Sequence, residues 1–496
     1  MVTLQTGLGT IEGVEVGGAI ELRGIRYAEP PVGERRFRPP VRTGSWEGTY
    51  DGTTWGCRSV QNPTPAGLGG EEPGEIGEDC LVLNVTVPAA VAEGDLRPRP
   101  VLCWIHGGAF TIGSGNDYPA HELVRREDLV VVTVSYRLGA LGFLDLSGLD
   151  ESYAGSANLG IADQIAALGW IHDHIADFGG DPEQVTIAGE SAGAISVMSL
   201  LASPSADGLY RRAMANSTGG FTPADTRAHV LPLFDQALAG DAPLLDRLRA
   251  ASTDELLQAQ VAAGFGFGST VDGTVVTRSM DEAVAGAARA GVPLLIGSNA
   301  DEGTLFLAIG GGDAGVFDLM TAGLPTAVAK GGDVERYRGL LTEAFPEEDP
   351  AVDGGVARNL RIWNHFFRRP AVESAALATE HGAGGWLYRF ELPSTAFGGA
   401  LGANHAGEIA FTFDWLAGDG DTGWTFHDRT GAHRAVARAW SSAVARFVRT
   451  GDPNGPDLPE WPRYASDDRS VLIIDDPLRV EVDPDETDRK LWESLD

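Results

Sequence analysis

A single pentapeptide, Gly189-Glu190-Ser191-Ala192-Gly193, limits the folds open to this chain more than any other stretch. An apolar, β-prone run, 185–188, leads into it, and a helix-prone run, 194–202, follows it. Gly-x-Ser-x-Gly between a strand and a helix makes a tight turn that strains the serine backbone and exposes its hydroxyl at a helix N-terminus. Larger side chains at the two glycine positions would collide with the facing strand and helix. The sequence therefore predicts a strand–turn–helix that presents Ser191 as a nucleophile.

Context decides whether this serine reacts, because the chain has 66 glycines and the pentapeptide alone is weak evidence. The alternative is a glycine-rich strand-to-helix turn with an idle serine. A serine that attacks an acyl carbon also needs a general base, an acid that orients the base, and N–H donors for the oxyanion. Those partners must come from elsewhere in the chain.

The order of the apolar runs predicts the fold class. Runs 101–105 and 130–136 are continuously apolar, as in strands buried on both faces of a parallel sheet. Apolar residues recur at helical spacing over 161–178, and 179–182 end that helix before the strand of the pentapeptide. Strands that alternate with helices predict an α/β fold with a doubly wound, mostly parallel sheet flanked by helices.

The remaining segments extend this pattern without an internal repeat or a long linker, so we expect one domain over 1–496 with helical insertions. The predicted elements are short β runs with turns over 1–50, strands at 81–87, 293–297, 386–390 and 471–474, mostly helical segments at 203–292 and 314–384, and an amphipathic helix at 435–448.

Charge and composition exclude several classes of partner. The formal net charge of −33 argues against nucleic acid and anionic membranes as partners. No apolar stretch approaches the ~20 residues of a membrane span, and 1–18 lacks the basic and apolar regions of a signal peptide. We expect a cytoplasmic protein, a monomer or weak homodimer, that acts on a small molecule.

Three cysteines are too few for a disulfide scaffold. Cys103 lies inside an apolar run and is predicted to be a buried thiol. Cys57 and Cys80 flank a Gly/Pro/Glu-rich segment that is predicted to be a surface loop, and a disulfide between them would close it. The alternative is two unpaired thiols in a reducing cytoplasm.

The donors of an oxyanion hole are predicted in a glycine-containing loop. His106-Gly107-Gly108-Ala109-Phe110 follows a predicted strand directly, and its small residues allow backbone N–H groups to approach a ligand. The predicted donors are the N–H groups of Gly108, Ala109 and Ala192. His106 precedes the serine, which is the wrong order for the base, so a structural role is expected for it.

The base must follow the serine in the chain order Ser, Asp or Glu, His. His365 and His433 sit in helical patterns and His381 at a helix end, where ordinary histidines are expected. His405 lies in a loop after a strand, where functional residues concentrate, and is the predicted base. His427, in a polar loop, is the second choice.

The acid is predicted at the carboxyl end of the strand 293–297, where ligand sites of open α/β sheets lie. Asp301 and Glu302 both follow that strand, and either carboxylate is suitable. Position alone favours Glu302 slightly, and a solvated acidic turn is the alternative in a chain with 70 acidic residues.

The chain resembles the type-B carboxylesterase family, which includes the cholinesterases, and within it the bacterial para-nitrobenzyl-esterase-like branch. The resemblance covers nearly the whole chain, and its motifs are jointly very specific. They are Gly24 to Gly33, Glu78 to Val85, Val134 to Leu144, Phe178 to Pro182, the pentapeptide, Asp301-Glu302-Gly303, His405-Ala406-Gly407-Glu408 and Gly451-Asp452-Pro453-Asn454.

This resemblance implies an α/β-hydrolase fold with Ser191 as nucleophile, His405 as base, Glu302 as acid, and Gly108, Ala109 and Ala192 as the oxyanion hole. It further assigns residues around the site: a second serine at Ser217 that bonds the acid, Glu190 beside the nucleophile, Leu305 and Phe306 lining the gorge, and structural ion pairs Arg36 with Glu78 and Arg137 with Asp163.

The expected function is that of a serine carboxylesterase acting on neutral esters without metal or cofactor. The loop 57–80 lacks the tryptophan with which cholinesterases hold choline, and the segment after Ser217 does not allow acyl-pocket residues to be placed. Two other classes remain open: a binding protein, since some family members are adhesion domains without the serine, and a lipase or peptidase on the same fold.

Overall fold

A computed structural model describes residues 1–63, 73–222, 224–263, 266–348, 350–417 and 426–495. The middle of the loop predicted between Cys57 and Cys80 therefore lies outside the described residues. The chain forms two compact units, each described by itself below. Unit 1 comprises residues 1–214 and 221–286, and unit 2 comprises 215–220 and 287–496.

The strands are numbered in chain order. They are β1 (Val2–Thr6), β2 (Gly9–Val16), β3 (Ala19–Arg26), β4 (Thr49–Asp51), β5 (Val82–Pro88), β6 (Arg99–Ile105), β7 (Val130–Val134), β8 (Gly180–Glu190), β9 (Arg212–Asn216), β10 (Leu294–Asn299), β11 (Gly385–Phe390), β12 (Ser470–Ile474) and β13 (Arg479–Val482).

The α-helices follow the same convention. They are α1 (His121–Glu127), α2 (Gly139–Phe143), α3 (Leu159–His174), α4 (Ala192–Leu201), α5 (Ala224–Ala237), α6 (Leu244–Ala250), α7 (Thr253–Ala263), α8 (Met280–Arg289), α9 (Glu302–Ile309), α10 (Ala314–Thr321), α11 (Leu324–Val328), α12 (Val334–Ala344), α13 (Pro350–Asp353), α14 (Val356–Glu380), α15 (Ile409–Thr412), α16 (Gly431–Thr450) and α17 (Glu486–Glu493).

The sheet of unit 1 runs in the order β1-β2-β3-β5-β7-β6-β8, with β4 paired to β2. Its first strands pair antiparallel, whereas β6 pairs parallel with both β7 and β8. Ile105 at the end of β6 lies opposite Gly189 near the end of β8. The carboxyl ends of these two strands therefore meet at one edge of the sheet, and the helices α3 and α4 cover β8.

The sheet of unit 2 runs in the order β10-β11-β12-β13. β10, β11 and β12 are parallel, and β13 closes the edge antiparallel. The long helix α14 packs on β10 and β11. The apolar side chains of the parallel strands are fully buried, as expected for strands covered on both faces.

The predicted strands and main helices are present with shifts of a few residues at their ends, and several described elements were not predicted, among them β9, β13 and α17. The segment 203–292, predicted to be mostly helical, contains the strand β9. β13 and α17 follow the strand predicted to be the last one. The alanine-rich composition of β9 hides its strand character, because alanine favours helices in isolation and only burial between neighbours overrides that preference.

Both ion pairs implied by the resemblance are formed in unit 1. Arg137 donates to both oxygens of Asp163, at 2.6 and 2.8 Å, and both side chains are buried. Arg36 pairs with Glu78 and also donates to the carbonyl of Ala251, at 2.6 Å. The first pair ties the segment after β7 to α3, and Arg36 ties the segment before β4 to the end of α6.

The predicted disulfide is absent from this structure, which is a correction to the sequence analysis. Cys57, Cys80 and Cys103 are all free thiols. Burial raises the pKa of the Cys80 thiol to about 12, and burial also raises the pKa of Cys57. Thiolates are the reactive form of cysteine, so burial disfavours oxidation of this pair.

Within the described ranges, no helix has the length and apolar character that crossing a bilayer requires.

Candidate active site

Ser191 occupies the strained turn that the sequence predicts. It follows β8 directly, its φ and ψ are 57° and −123°, and α4 begins at the next residue. A Cβ on Gly193 would clash with the carbonyl oxygen of Ile105, and one on Gly189 would lie 2.7 Å from the same atom. Only glycine fits at these two positions, so the pentapeptide is required by the packing of β8, α4 and β6.

The glycine loop after β6 lies against this turn within unit 1. A Cβ on Gly107 would lie 3.1 Å from the Cβ of Ser191 and 2.7 Å from the carbonyl oxygen of Glu190. Gly108 and Ala109 both have positive φ, 105° and 53°. The Gly108 carbonyl accepts hydrogen bonds from the N–H groups of Thr111 and Ile112, both at 3.0 Å, which fixes the loop.

The N–H groups of Gly108, Ala109 and Ala192 are among the backbone donors of this turn and loop that have no hydrogen-bond acceptor in the described part of the chain. Ala192 is the first residue of α4, where a helical N–H has no acceptor within its own helix. Unpaired N–H groups at a helix N-terminus favour negative charge. These are the three donors predicted from the sequence.

His106 has the structural role that was expected. Its ring is fully buried and stacks on Tyr136, with ring centroids 4.4 Å apart, and its Nδ1 donates to the carbonyl of Gly107 at 2.8 Å. Burial lowers the pKa of His106 to about 4. It is therefore neutral at physiological pH and supports the glycine loop.

Unit 2 joins the predicted base to one of the two candidate acids. His405 Nδ1 lies 2.5 Å from Glu302 Oε2, and both side chains are buried. A carboxylate on Nδ1 fixes the tautomer and leaves Nε2 as the basic nitrogen. Ala406, the next residue, has a φ of 64°, so the loop that carries the histidine holds backbone strain, which is common at functional sites.

Two further donors hold the other oxygen of Glu302. Ser217 Oγ donates to Oε1 at 2.6 Å, and the backbone N–H of Asn299 donates to it at 2.7 Å. Glu302 is the first residue of α9, where the helix N-terminus favours a negative charge. Ser217 therefore bonds the acid, as the resemblance implies.

Asp301 has a different task, which answers the question that position alone left open. Its carboxylate accepts the N–H of Ala403 at 2.9 Å and so holds the loop before His405. Its backbone N–H donates to the Ala403 carbonyl at 3.0 Å. Of the two candidates, Glu302 is the one in contact with the imidazole.

A second buried carboxyl, Glu408, lies beside this pair and was not singled out for a role by the sequence analysis. The side-chain amide of Asn299 donates to Glu408 Oε2 at 2.7 Å and to the carbonyl of Asn404 at 2.6 Å. Burial, together with the charge of Glu302, raises the pKa of Glu408 to about 7. The only sequence signal was its place in the motif that follows His405.

Aromatic rings surround His405 on the side of α9 and α14. Phe306 lies 5.1 Å from the imidazole, and Phe367 stacks on it at 4.6 Å, both measured between ring centroids. Phe306 is half-buried and stacks on Trp363 at 3.8 Å. Leu305 is buried. Phe367 and Trp363 were missed, because a helical pattern in the sequence does not show which ring meets a loop far along the chain.

Two other candidate histidines have surroundings that differ from those of His405. His427 is buried against Phe390 and Phe411, neither ring nitrogen has a hydrogen-bond partner among the described residues, and burial lowers its pKa to about 3. His365 lies in α14 between Tyr337 and Asp488. No group of three or more possible metal ligands is found in the described part of the chain.

Glu190 is buried, and its carboxylate lies next to Gly107. It belongs to the same turn as Ser191.

Comparison with known proteins identifies one family over nearly the whole chain. The sequence profile of the carboxylesterase family matches residues 1–492. The chain is 33% identical to para-nitrobenzyl esterase of Bacillus subtilis (strain 168), over 98% of this chain and 97% of that protein. It is 32% identical to phenmedipham hydrolase of Pseudarthrobacter oxydans, over 95% of this chain and 94% of that protein.

Solved structures of carboxylesterases have the same fold as this chain. A structure of PNB esterase superposes with a TM-score of 0.85 at 32% identity, covering 99% of both chains. A carboxylesterase of Geobacillus stearothermophilus at pH 6.2 superposes with a TM-score of 0.83 at 34% identity, covering 99% of this chain and 100% of that one. These matches confirm the predicted class, the α/β-hydrolase fold.

Proposed function

The chain belongs to the carboxylesterase family and is a serine carboxylesterase, and we propose that Ser191, His405 and Glu302 form its catalytic triad for neutral carboxylic esters. The hydrogen bond of 2.5 Å between His405 and Glu302 carries this proposal. It joins the predicted base to a carboxylate in the required chain order, Ser, Glu, His.

In the first step Ser191 Oγ attacks the ester carbonyl carbon, and His405 Nε2 takes the hydroxyl proton. The imidazolium that forms keeps its Nδ1–H on Glu302, whose negative charge stabilises it. Ser217 and the N–H of Asn299 supply two hydrogen bonds to the ionised carboxylate, so it remains an acceptor throughout.

The tetrahedral intermediate places a negative charge on the former carbonyl oxygen. The N–H groups of Gly108, Ala109 and Ala192 are the proposed donors to it, and their lack of other acceptors among the described residues supports this role. Donors that are already oriented require no reorganisation when the charge develops, and removing one such donor typically costs ~3–4 kcal/mol of transition-state stabilisation.

The intermediate then collapses as His405 returns its proton to the leaving alcohol. The acyl group remains as an ester on Ser191 Oγ. Water attacks that ester by the same route, with His405 as base, and the acid product leaves as Ser191 regains its proton. No step uses a metal or a cofactor.

The substrate class that we propose is small neutral esters, with aromatic alcohols included. One relative is named para-nitrobenzyl esterase, and para-nitrobenzyl acetate is therefore a suitable first substrate. A net charge of −33 disfavours polyanionic partners. A monomer or weak homodimer in the cytoplasm stays the prediction of the sequence.

The test is turnover of para-nitrobenzyl acetate by Ser191→Ala, His405→Ala and Glu302→Gln. Each change should lower kcat by roughly 10³- to 10⁶-fold, and the losses should not add in the double variants, because the groups act as a unit. A fluorophosphonate probe should label the parent protein and not Ser191→Ala, which excludes a pure binding protein.

Asp301→Asn is the matched control, since it removes the charge next to Glu302 in sequence. The variant should retain far more activity than Glu302→Gln, because Asp301 holds the loop rather than the imidazole. If Asp301→Asn were the inactivating change and Glu302→Gln were active, the assignment of the acid would be wrong.

A further inference from the structure

The ring of Phe367 faces the imidazole of His405 within unit 2. The two ring centroids are 4.6 Å apart, and the ring planes are inclined by 29°, which is a stacked arrangement. Phe367 is only 3% exposed, so its face is turned to the imidazole rather than to water. An aromatic face carries negative electrostatic potential and attracts a cation placed over it.

The position of this ring is fixed by its neighbours. Phe367 belongs to α14 and packs in a cluster with Phe317 and Trp363, and Phe366 contacts its edge at 4.8 Å between ring centroids. Trp363 is itself anchored by a hydrogen bond of 3.0 Å from its Nε1 to Thr321 Oγ1. These contacts hold the ring of Phe367 in place beside the imidazole.

Two acidic side chains of unit 2 lie near His405 among the described residues: Glu302 at the start of α9 and Glu408 in the loop of His405 itself. Glu302 occupies the edge of the imidazole at Nδ1, and α14 presents the uncharged face of Phe367. The imidazole thus meets a carboxylate in its plane and an aromatic ring on its face. Both surroundings stabilise an imidazolium more than a neutral imidazole.

We propose that Phe367 is a positioning residue of the esterase: its ring holds the imidazole of His405 in place and stabilises the imidazolium that forms during turnover. This inference rests on the proposed role of His405 as general base. It adds a partner that acts through the base and does not touch the ester.

The proposal predicts the direction in which the pKa of His405 changes when the ring is removed. Contact of a desolvated cation with an aromatic face raises the pKa of an imidazole, so removing the face should lower the pKa of His405. The base acts in its neutral form, and the acid limb of the kcat/KM profile reports the pKa of His405 in the free enzyme. Loss of the ring should therefore move this limb to lower pH by about 0.5 to 1 pH unit and lower the plateau several-fold.

The first variant is Phe367→Leu, which keeps an apolar side chain and removes the aromatic face. Its matched control is Phe317→Leu, because Phe317 is fully buried in the same cluster and makes no ring contact with His405 among the described residues. We expect both variants to lose thermal stability and only Phe367→Leu to shift the acid limb. Equal profiles in the two variants would show that Phe367 is ordinary core packing and would overturn the proposal.

A second measurement does not depend on how well the leucine variant folds. Phenylalanine carrying one, two or three ring fluorines at position 367 keeps the size of the ring and weakens its attraction for a cation stepwise. The acid limb should then fall stepwise with fluorine number, and an unchanged limb across the series overturns the proposal. The series is repeated in Glu408→Gln, so that the shift is read where the Glu408 carboxyl no longer titrates.

Failure of this inference differs from failure of the proposed function. If His405→Ala retained full turnover, His405 would not be the base and both would fall. If His405→Ala were inactive and the fluorinated series showed no shift, the triad would stand and only the role of Phe367 would fall.

Discussion

Replacing Glu408 with glutamine should stabilise the protein above neutral pH relative to the parent. Glu408 is fully buried and accepts one hydrogen bond, of 2.7 Å, from the amide of Asn299. Burial and the nearby charge of Glu302 raise the pKa of the carboxyl to about 7. The folded protein therefore holds a proton on Glu408 that the unfolded chain has already released.

The size of the effect follows from this shift. In the unfolded chain the carboxyl titrates near 4.5. The stability that the bound proton contributes is fully present below that pH and is lost as pH rises through about 7. At ~1.4 kcal/mol per pKa unit, the loss above pH 7 is about 3.5 kcal/mol at most. Glutamine does not ionise and keeps an oxygen for Asn299, so its variant should not suffer this loss.

The assay is the Tm of parent and variant at pH 5.5 and pH 8.5, at one scan rate, since chains of this size often unfold irreversibly. The Tm of the variant minus that of the parent should increase with pH, by a few degrees, because one kcal/mol shifts the Tm of a large chain by roughly 1–2 °C. A difference that stays constant between the two pH values would refute the reasoning, since it would mean that Glu408 ionises in the folded state at its ordinary pH.

Glu21→Gln is a control with the opposite sign. Glu21 is also buried, and against the effect of burial its hydrogen bonds with His121 and Arg23 lower its pKa. Its stabilising effect is present above the unfolded pKa and is lost as pH falls. The Tm of Glu21→Gln minus that of the parent should therefore stay constant between pH 5.5 and pH 8.5, and should become less negative only as the pH falls below the unfolded value of 4.5.

Three other predictions concern the site and the thiols. Gly108→Val should lower turnover about tenfold or more in a protein that still folds, because a Cβ at this position would clash with the Ile112 carbonyl and displace the N–H donors. A folded and fully active variant would show that this loop is not part of the active site. Titration of the denatured protein with a thiol reagent should find three free thiols, and in the native protein only Cys57 should react, and slowly. A single free thiol in the denatured protein would mean that Cys57 and Cys80 form a disulfide. At moderate ionic strength, neutral esters of aromatic alcohols should show higher kcat/KM than choline esters of the same acid, because Leu305 offers no aromatic face to a cation. A clear preference for the choline ester would contradict this prediction.

The need for glycine at the strained turn is evident from the amino-acid sequence. Gly189 and Gly193 have no room for a Cβ beside Ile105, and this steric requirement fixes glycine at these two positions of the sequence. Continuous apolar runs likewise predicted the parallel strands β6, β7 and β8. Glycine positions and apolar runs can be predicted because they depend on residues that are adjacent in the chain, or on contacts that every turn of this type makes.

Position in the sequence favoured Glu302 over Asp301 only slightly, and the resemblance to a family was needed to name Glu302. Asp301 is the N-cap residue, with φ −120° and ψ 52°, and Glu302 is the first helical residue of α9, so the two side chains leave the backbone in different directions. One carboxylate therefore meets His405, and the other meets the N–H of Ala403. Which of them does so depends on where the loop 400–408 lies, and that is set by packing across the unit.

Sequence alone determined the strained turn at Ser191 and the α/β fold, because glycine positions and apolar periodicity are local consequences of sterics and burial. Tertiary structure alone decided what surrounds the base. Phe367 and Glu408 come to His405 from a helix and a loop whose sequences show only a helical pattern and one more acidic residue. The physical reason is that a pKa and a ring contact depend on distances between groups far apart in the chain, and those distances exist only once the core has packed.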